Sequence, residues 1–491
     1  MRAGVIVAVL TAVFFVAGAT NAAAKGPLET AVMDPVTFEG PDADVAFARV
    51  AASGARYVRL TLVWSSVAPA GPAIPAGFNA ADPADPRYTW SAFDRQVAFA
   101  TRHGLQPIVS IFDAPQWAQD ARDDERGYRN WLVDPTAVAS FAHAAAVRYS
   151  GVFLALPRVR YWQAWNEPNL SVYYNPQYAF QDPVVRDQGF RLFDVAKPLS
   201  PGRYRDLVNG FADAVHGVLN DNVVIGGGLA PFSGGNVAVS GGNVAALRFM
   251  RLLFCLSPQL EPTCSDKVRL DVWSHHPYTS GSPTHKAELG DNVSLGDLPK
   301  MRRVLNAAVG SGHLVSNGPV RFWITEFSWD TNPPDPKGVP IDLQARWTSE
   351  ALYRAWANGI SLVTWFLLRD YPFPASPYQS GLWFNGGNAL SGDKPKPTLT
   401  AFRFPFVAFR RTTGVVVWGR TATSAAATVT ISQRAGRWKK VASLQADGTG
   451  VFTATVRATG DGPLRASVGG AASLPFSLQV PPDHFYYPFG S

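Results

Sequence analysis

The sequence predicts an α/β protein, a (β/α)8 TIM barrel followed by a small all-β sandwich domain, on the strength of two patterns. From about residue 32 to residue 406, short runs of β-branched and aromatic residues alternate with longer segments of helical period. After about residue 408, strand-like runs separated by glycine turns take over. With 47% hydrophobic and 16% charged residues, the 491-residue chain can bury one large core and a smaller one beside it.

Eight strand–helix units can be counted in the first part of the chain, which we expect to be a barrel over residues 25–406. Strands buried on both faces are short apolar runs, whereas helices repeat their apolar residues every three or four positions. The predicted strands are 31–38, 57–63, 107–112, 159–165, 223–228, 270–275, 320–325 and 362–367. The predicted helices are 42–53, 91–103, 135–149, 203–219, 244–256, 301–309, 343–358 and 398–407.

The predicted sandwich covers residues 407–491 and contains strand-like runs at 415–418, 427–431, 451–456 and 464–468. It resembles the immunoglobulin-like modules appended to many exported bacterial enzymes. Two roles are open for it: it could bind a glycan or the cell wall, or it could brace the barrel.

The first residues predict a secretory signal peptide over residues 1–24. Arg2 precedes an apolar run from Gly4 to about Gly18, and small residues end at Ala24. The run is shorter than the roughly 20 residues that a spanning helix needs, so an uncleaved anchor is the weaker interpretation. We therefore expect a secreted, extracellular or wall-associated protein without stable membrane insertion.

Export makes the two cysteines informative, because oxidising compartments favour disulfides. Cys255 and Cys264 are close in sequence, and the segment between them contains two prolines. This spacing predicts a disulfide that closes a small loop, with a pair of unlinked thiols as the alternative. A zinc site is not expected, because no second Cys or His pair lies at ligand spacing.

The formal net charge of +7 does not predict a nucleic-acid partner. Lys and Arg are scattered among Asp and Glu rather than clustered, which is typical of a solvated surface. We expect a monomer that binds a carbohydrate and no nucleic acid.

Two predicted strands end in a glutamate that can carry chemistry. Strand 4 runs into Trp-Asn-Glu-Pro, which puts Glu167 just beyond a buried strand, and strand 7 runs into Thr-Glu-Phe, which puts Glu326 at the matching depth. The active sites of such barrels lie where the strands end, so the two carboxylates can face one another.

A facing pair of carboxylates is what glycosidic cleavage needs. One protonates the leaving oxygen, and the other attacks the anomeric carbon or activates water. A separation of about 5 Å predicts retention of configuration through a glycosyl-enzyme intermediate, and about 6.5 Å or more predicts inversion. We interpret Glu167 as the general acid/base and Glu326 as the nucleophile.

These two motifs resemble clan A of the glycoside hydrolases, the 4/7 superfamily that contains the cellulase-like family 5 and family 39. The resemblance covers about residues 32 to 406. It implies a retaining mechanism, and it implies roles for further residues. Arg59 on strand 2 would steady the nucleophile, Asn166 would bond the sugar 2-hydroxyl, and Tyr278 would hydrogen-bond the nucleophile. His276 would line the site, and Trp365 on strand 8 would form a platform for the sugar.

Strand 3 departs from the family 5 pattern. It ends Phe-Asp-Ala-Pro-Gln-Trp at residues 112–117, without the histidine often seen there, and this form resembles family 39-like members more closely. The motif adds Trp117 to the expected substrate-binding residues. The doublet His275-His276 leaves the functional histidine open by one place, although only one of the two can face inward. Further aromatic residues expected near the mouth are Trp64, Tyr173, Tyr174, Trp329 and Trp383.

The sequence as a whole predicts a secreted retaining glycoside hydrolase that acts on a polysaccharide or oligosaccharide. The proposed chemistry requires neither a metal nor a nucleotide, and no glycine-rich phosphate loop follows the first strand, so no cofactor is expected. Two alternatives remain: a non-catalytic carbohydrate-binding or cell-wall protein, and a transglycosylase on the same fold.

Overall fold

The computed structural model describes residues 26–120, 129–180, 193–234 and 242–488, so the predicted signal peptide lies outside the described residues. Its central feature is a closed barrel of eight strands. They are β1 (Glu29–Met33), β2 (Tyr57–Val63), β3 (Gln106–Phe112), β4 (Tyr161–Ala164), β5 (Val223–Leu229), β6 (Val272–His275), β7 (Arg321–Phe327) and β8 (Leu362–Phe366). Each strand pairs in parallel with its neighbours in chain order, and β1 pairs with both β2 and β8.

A helix follows each barrel strand. These helices are α1 (Ala43–Ala52), α2 (Ser91–Arg102), α3 (Pro135–Arg148), α4 (Ser200–Val218), α5 (Ala246–Leu253), α6 (Leu298–Gly310), α7 (Ile341–Ala357) and α8 (Pro397–Arg403). Proline stands in the first turn of several of them, where its missing N–H has no helical partner to lose. The (β/α)8 barrel predicted from the sequence is confirmed.

Most predicted elements of the barrel differ from the structure by up to three residues at their ends, and two differ by more. The first strand stops at Met33 rather than at residue 38, because the buried Asp34 side chain accepts a hydrogen bond from the backbone N–H of Thr37 and turns the chain. The last helix ends at Arg403 rather than at residue 407. Pro405 cannot continue a helix, and a strand begins at Phe406.

The barrel interior changes in character along its axis. Side chains from the strand starts, such as Ile108, Ile225 and Trp323, form an apolar cluster that fills one end. Further along the strands the interior becomes polar, with the buried side chains of Arg59 and Gln163. Buried polar groups of this kind need hydrogen-bond partners, so they form a network with one another. This network lies toward the carboxyl ends of the strands, where the active sites of such barrels are found.

Glycine allows β5 to approach its neighbours closely. At Gly227, with φ 88°, a Cβ atom would lie 2.4 Å from the carbonyl oxygen of Ser274 on β6. At Gly228, with φ 58°, it would lie 2.8 Å from the Gln163 side chain on β4. The glycine run at residues 226–228 thus serves close strand packing.

A β-sandwich follows the barrel, as predicted. Its strands are β9 (Phe406–Arg411), β10 (Gly414–Arg420), β11 (Thr428–Ala435), β12 (Arg437–Gln445), β13 (Val451–Val456), β14 (Leu464–Val468) and β15 (Ala471–Ala472). They form a three-stranded sheet, β9-β10-β13, and a four-stranded sheet, β12-β11-β14-β15. The sequence did not predict β9, β12 or β15. β12 lies at a sheet edge and its sequence begins Arg-Trp-Lys-Lys, so charge conceals its strand pattern.

Cys255 and Cys264 form the predicted disulfide, with their Cα atoms 5.3 Å apart. It closes the loop that follows α5. Within the described ranges, none of the helices has the length and apolar character needed to cross a membrane.

Candidate active site

Glu167 and Glu326 come together at the carboxyl ends of the barrel strands. Glu326 lies within β7, and Glu167 follows the end of β4 by three residues. The backbone has a positive φ at Trp165 (71°) and at Glu167 (42°), on either side of Asn166. Such conformations are costly for residues other than glycine and persist where the surrounding structure enforces them, as at functional sites.

The two carboxyl groups are close enough to act on a single bond. One carboxylate oxygen of Glu167 and one of Glu326 lie within 4.8 Å of each other. The Glu167 side chain is 10% exposed and that of Glu326 is 17% exposed, so both are largely shielded from solvent and reach one shared space. This approach of two oxygens is compatible with the shorter of the two carboxyl separations that distinguish glycosidase mechanisms.

Two donors fix the carboxylate of Glu326. The Tyr278 hydroxyl donates to Oε1 at 2.9 Å, and Arg59 Nη1 donates to Oε2 at 3.0 Å. Burial, together with the charge of Glu326, raises the pKa of Tyr278 well above its ordinary value, so this hydroxyl stays a donor. With a neutral donor on one oxygen and a cation on the other, the carboxylate of Glu326 is held in one orientation.

Arg59 is itself held by a set of buried polar groups. Its Nε donates to Gln163 Oε1 at 3.2 Å, and its Nη2 donates to Ser110 Oγ at 3.2 Å and to Asn166 Oδ1 at 2.8 Å. Arg59 is only 2% exposed. The planar guanidinium therefore links the nucleophile candidate on β7 to the amide beside Glu167 after β4.

The environment of Glu167 favours its protonated form. Burial raises the pKa of Glu167 to about 8, against the opposing charge of Arg59. His276 Nδ1 lies 2.9 Å from Glu167 Oε1, and His276 Nε2 lies 3.1 Å from the Thr325 hydroxyl. Burial also lowers the pKa of His276 to about 3, so the imidazole is neutral and forms hydrogen bonds rather than an ion pair with Glu167.

The structure separates the two histidines of the doublet. His276 contacts Glu167, whereas His275 Nε2 lies 2.8 Å from the carbonyl oxygen of Val293, away from the carboxylates. His276 is therefore the histidine of this site.

A cavity of roughly 500 Å³ opens above the two glutamates. Arg59, Asn166 and Tyr278 line it together with both carboxylates. Its walls carry many aromatic rings, a composition that suits the apolar C–H faces of a sugar. The aromatic lining residues are Phe112, Tyr173, Tyr278, Phe366, Tyr371, Tyr378 and Tyr486.

Three predicted substrate-binding residues do not line this cavity. His276 is fully buried and reaches the site only through its contact with Glu167. Trp365 is 1% exposed, and its Nε1 donates to the carbonyl oxygen of Ser380. Trp117 turns away as well, since its Nε1 donates to the carbonyl oxygen of Pro69. Trp365 is therefore a buried residue rather than part of the cavity wall, and the next residue, Phe366, lines the cavity.

Most of the other aromatic residues expected at the mouth belong to the core. Tyr173 lines the cavity as predicted. The remaining four are 9% exposed or less: Trp64, Tyr174, Trp329 and Trp383. These four rings pack in the core. A position near a strand end in the sequence therefore did not distinguish an aromatic residue that packs in the core from one that lines the cavity.

Sequence reasoning missed several residues of the site. Gln163 and Ser110 lie inside strands and hold Arg59, and a polar residue within an otherwise apolar strand was the available signal. Tyr378 lines the cavity from a loop after β8, and Tyr486 reaches it from beyond the sandwich. No local sequence pattern connects these last two residues to the barrel mouth.

Glu167, His276 and Glu326 also have the spacing at which three side chains could hold a metal ion. Arg59 Nη1 lies 3.0 Å from Glu326 and already occupies the position of a counter-cation. A second positive charge there would be repelled, so these residues fit a proton-transfer site better than a metal site.

The fold is similar to that of several solved structures. A family 39 glycoside hydrolase from the gut symbiont Bacteroides cellulosilyticus WH2 matches with a TM-score of 0.50 and 16% identity, over 88% of this chain and 79% of that chain. A monomeric β-xylosidase from Caulobacter crescentus CB15 has a TM-score of 0.46 and 15% identity, over 88% and 94% of the two chains. A glucosidase from Croceicoccus marinus has a TM-score of 0.49 and 13% identity, over 87% and 92%.

Neither a protein-family model nor a curated protein matches the sequence. At such low identity, the likeness to the family 39 enzyme shows a shared fold. The predicted resemblance to family 39-like proteins is confirmed at the level of the fold.

Proposed function

We propose that this chain is a retaining glycoside hydrolase that cleaves O-glycosidic bonds by double displacement. The observation that carries the proposal is the separation of Glu167 and Glu326, whose carboxylate oxygens lie within 4.8 Å of each other at the base of one cavity. That distance suits a direct attack by one carboxylate and leaves little room for the water of an inverting enzyme.

In the first step, a Glu326 oxygen bonds to the anomeric carbon as the bond from that carbon to the leaving oxygen breaks. Glu167 gives its proton to the leaving oxygen. Its pKa of about 8 means that it carries this proton at neutral pH. Arg59 and Tyr278 hold Glu326 in position for the attack, because both donate hydrogen bonds to its oxygens.

In the second step, water enters the place of the departed group. Glu167, now ionised, takes a proton from the water. At the same time the water oxygen bonds to the anomeric carbon, and the bond from that carbon to Glu326 breaks. The two displacements restore the original configuration. His276, 2.9 Å from Glu167 Oε1, orients that carboxyl group through both changes of protonation.

Asn166 is suited to bind the sugar. Its Oδ1 accepts a hydrogen bond from Arg59, so its NH2 group remains to donate to a sugar hydroxyl in the cavity. Because Arg59 orients both Asn166 and Glu326, the hydroxyl and the anomeric carbon would be held in one frame.

The test is removal of each carboxylate in turn. Glu326→Ala is expected to abolish hydrolysis of aryl glycosides, and Glu167→Ala is expected to abolish hydrolysis of glycosides whose leaving group needs a proton. Neither change should unfold the protein, as judged by thermal unfolding. Azide is expected to restore turnover of Glu326→Ala and to give a glycosyl azide of inverted configuration, because the small anion occupies the vacated space. The matched control is Glu288→Ala, at an exposed glutamate of the same domain, which should retain full turnover.

Near wild-type turnover in either variant would contradict the assignment. Glycan binding by the wild type without any hydrolysis would identify a binding protein instead. Glycoside products in place of free sugar would identify a transglycosylase, since the two reactions share the first step and differ in the entering group.

Export belongs to the same proposal. It rests on the signal-peptide pattern of residues 1–24 and on the Cys255–Cys264 disulfide, which an oxidising compartment favours. Mass spectrometry of the protein recovered outside the producing cells is expected to find Lys25 at its N-terminus. An intracellular protein that retains residues 1–24 would contradict it.

A further inference from the structure

The chain that leaves the sandwich runs back to the mouth of the barrel. Phe476 still pairs with Leu464 of β14. From there the chain follows α7, where Arg346 Nη1 donates to the carbonyl oxygen of Ser477 at 2.9 Å. The ring of His484 then lies 6.4 Å from that of Trp347, the next residue of α7. We call residues 477–488 the return segment.

Tyr486 fastens the return segment to two loops of the site. Its N–H donates to the carbonyl oxygen of Ser280, in the loop that follows Tyr278. Its hydroxyl donates to Asp330 Oδ2 at 2.5 Å and accepts a hydrogen bond from the Asp330 N–H at 3.1 Å. Tyr486 is only 4% exposed, although it lies far beyond the barrel in sequence.

Asp330 extends the connection to a third loop. Its Oδ1 accepts a hydrogen bond from the N–H of Gln379 at 2.6 Å, next to Tyr378 of the cavity wall. Tyr486 and Asp330 therefore join the loops after β6, β7 and β8. The loop after β6 carries Tyr278, and Asp330 lies four residues beyond Glu326.

The return segment also forms part of the cavity surface, through Tyr486 and Pro488. The remaining walls come from other sides of the barrel mouth, for example Met33 at the end of β1, Phe112 at the end of β3 and Tyr173 after β4. The described lining residues come from β1 to β4 and from the loops after β6, β7 and β8, so walls stand on most sides of the cavity, as in a pocket. A groove for the middle of a long chain would have to be open at two opposite ends.

We propose that the return segment is a specificity-determining wall that restricts the site to the ends of glycans and to short glycans. The inference rests on the proposed glycosidase function and specifies its substrate class. The side closed by Tyr486 is the side over β6 and β7, so opening it would let further sugar units extend past the site.

The experiment measures how turnover depends on substrate length. Full-length wild type and Tyr486→Ala are compared on 4-nitrophenyl glycosides of the xylo, cello and manno series, from one sugar unit to six. In Tyr486→Ala, the ratio of kcat/KM for the longest substrate to that for the shortest is expected to rise about tenfold, the scale on which one side chain changes discrimination. Products cut at internal bonds should appear only in this variant.

Two further variants make the result specific. Phe485→Ala is the matched control, because Phe485 is adjacent in the return segment but 74% exposed. It should leave the length ratio unchanged. Tyr486→Phe keeps the ring and loses the hydroxyl that bonds Asp330, so it should shift the ratio in the same direction by less. If Tyr486→Ala does not fold, as judged by thermal unfolding, the result of Tyr486→Phe decides.

The outcomes separate this inference from the proposed function. If the wild type turns over these substrates but Tyr486→Ala and Tyr486→Phe have its length ratio, the specificity role of the return segment is refuted. The proposed hydrolase function is then unaffected. A wild type that already cuts long chains at internal bonds also refutes the specificity role. Absence of turnover by the wild type on every substrate in the panel overturns the proposed function, and the inference with it.

Discussion

Arg59 shows how a single side chain organises the candidate site. It contacts Glu326 on one side and Asn166 on the other, and Gln163 and Ser110 hold it from within the barrel. The resemblance to clan A indicated this arginine, but it did not indicate the residues that support it. Those partners matter because a buried guanidinium keeps one orientation only when several of its N–H groups are satisfied.

Arg59→Lys is the sharpest test of this role. Lysine keeps the charge but replaces a planar set of donors with a single ammonium, which cannot reach Glu326, Asn166 and Gln163 together. We expect kcat to fall by about a hundredfold, a loss typical of removing a positioned transition-state donor. Steady-state kinetics on an aryl glycoside provide the measurement. Arg56→Lys, at an arginine whose side chain is 59% exposed, is the control, and equal kinetics in the two variants would contradict the role.

The raised pKa of Glu167 predicts how activity declines at alkaline pH. Because burial raises its pKa to about 8, the acid form is present below that pH and is lost as the pH rises through it. We expect kcat/KM for a glycoside with a poor leaving group to fall above about pH 8. In Glu167→Ala, assayed with an activated leaving group that needs no proton, this decline should disappear. An unchanged decline in that variant would assign it to another group.

At the level of elements, the strand ends were predictable and the faces of some strands were not. The ends of β4 and β7 were located to within a few residues because apolar runs give way there to Asn-Glu-Pro and Glu-Phe-Ser. Strand β8 reads Leu-Val-Thr-Trp-Phe, with large apolar side chains at consecutive positions. Strand alternation cannot then decide which of these side chains points to the cavity. The predicted cavity residue was Trp365, whereas Phe366 lines the cavity.

The sandwich shows the same limit in another form. Strand β12 carries Arg437, Lys439 and Lys440 on an exposed edge, so its sequence lacks the apolar alternation by which strands are recognised. The return segment has no regular element in most of its length, and only tertiary contacts bring Tyr486 to the site. Sequence periodicity reports local structure and carries no information about such contacts.

Gly227 on β5 gives a prediction at this scale. In Gly227→Ala, the new Cβ would meet the Ser274 carbonyl oxygen at 2.4 Å, in a backbone conformation that alanine rarely adopts. We expect a loss of unfolding free energy of about 2 kcal/mol or more, measured by urea unfolding, because both strain and a shifted strand contribute. Gly217→Ala, in α4 with no atom within 4 Å of its Cβ, should leave stability equal or higher. Equal stability of Gly227→Ala and the wild type would show that β5 can move aside.

For the whole molecule, the barrel and the sandwich share a buried boundary. The ring of Trp418 on β10 lies 5.6 Å from Tyr353 and 5.7 Å from Trp356, both on α7. Arg420, also on β10, donates to the carbonyl oxygen of Leu28, just before β1, and to the Thr30 hydroxyl within β1. Of the two roles left open for the sandwich, these contacts favour bracing, because they join it to the first strand and to a late helix of the barrel.

Arg420→Met tests whether the two parts unfold as one. Arg420 is 1% exposed, and burial lowers its pKa to about 10, so the side chain is still charged at neutral pH. Acceptors at β1 and α8 hold this buried charge in place. Methionine fills similar space but leaves those acceptors without a donor, and we expect a loss of about 3 kcal/mol in unfolding free energy. Urea unfolding followed by tryptophan fluorescence and by circular dichroism provides the measurement.

Both probes are expected to report one transition in the wild type and in Arg420→Met, with the midpoint lowered in the variant, because the shared boundary couples the barrel to the sandwich. Arg410→Met is the matched control: Arg410 lies on β9 of the same sandwich, but its side chain is 47% exposed and its partner Asp461 is 81% exposed. Its loss should change the midpoint little. Two separate transitions, with only that of the sandwich shifted by Arg420→Met, would show that the barrel is stable without its contacts to the sandwich.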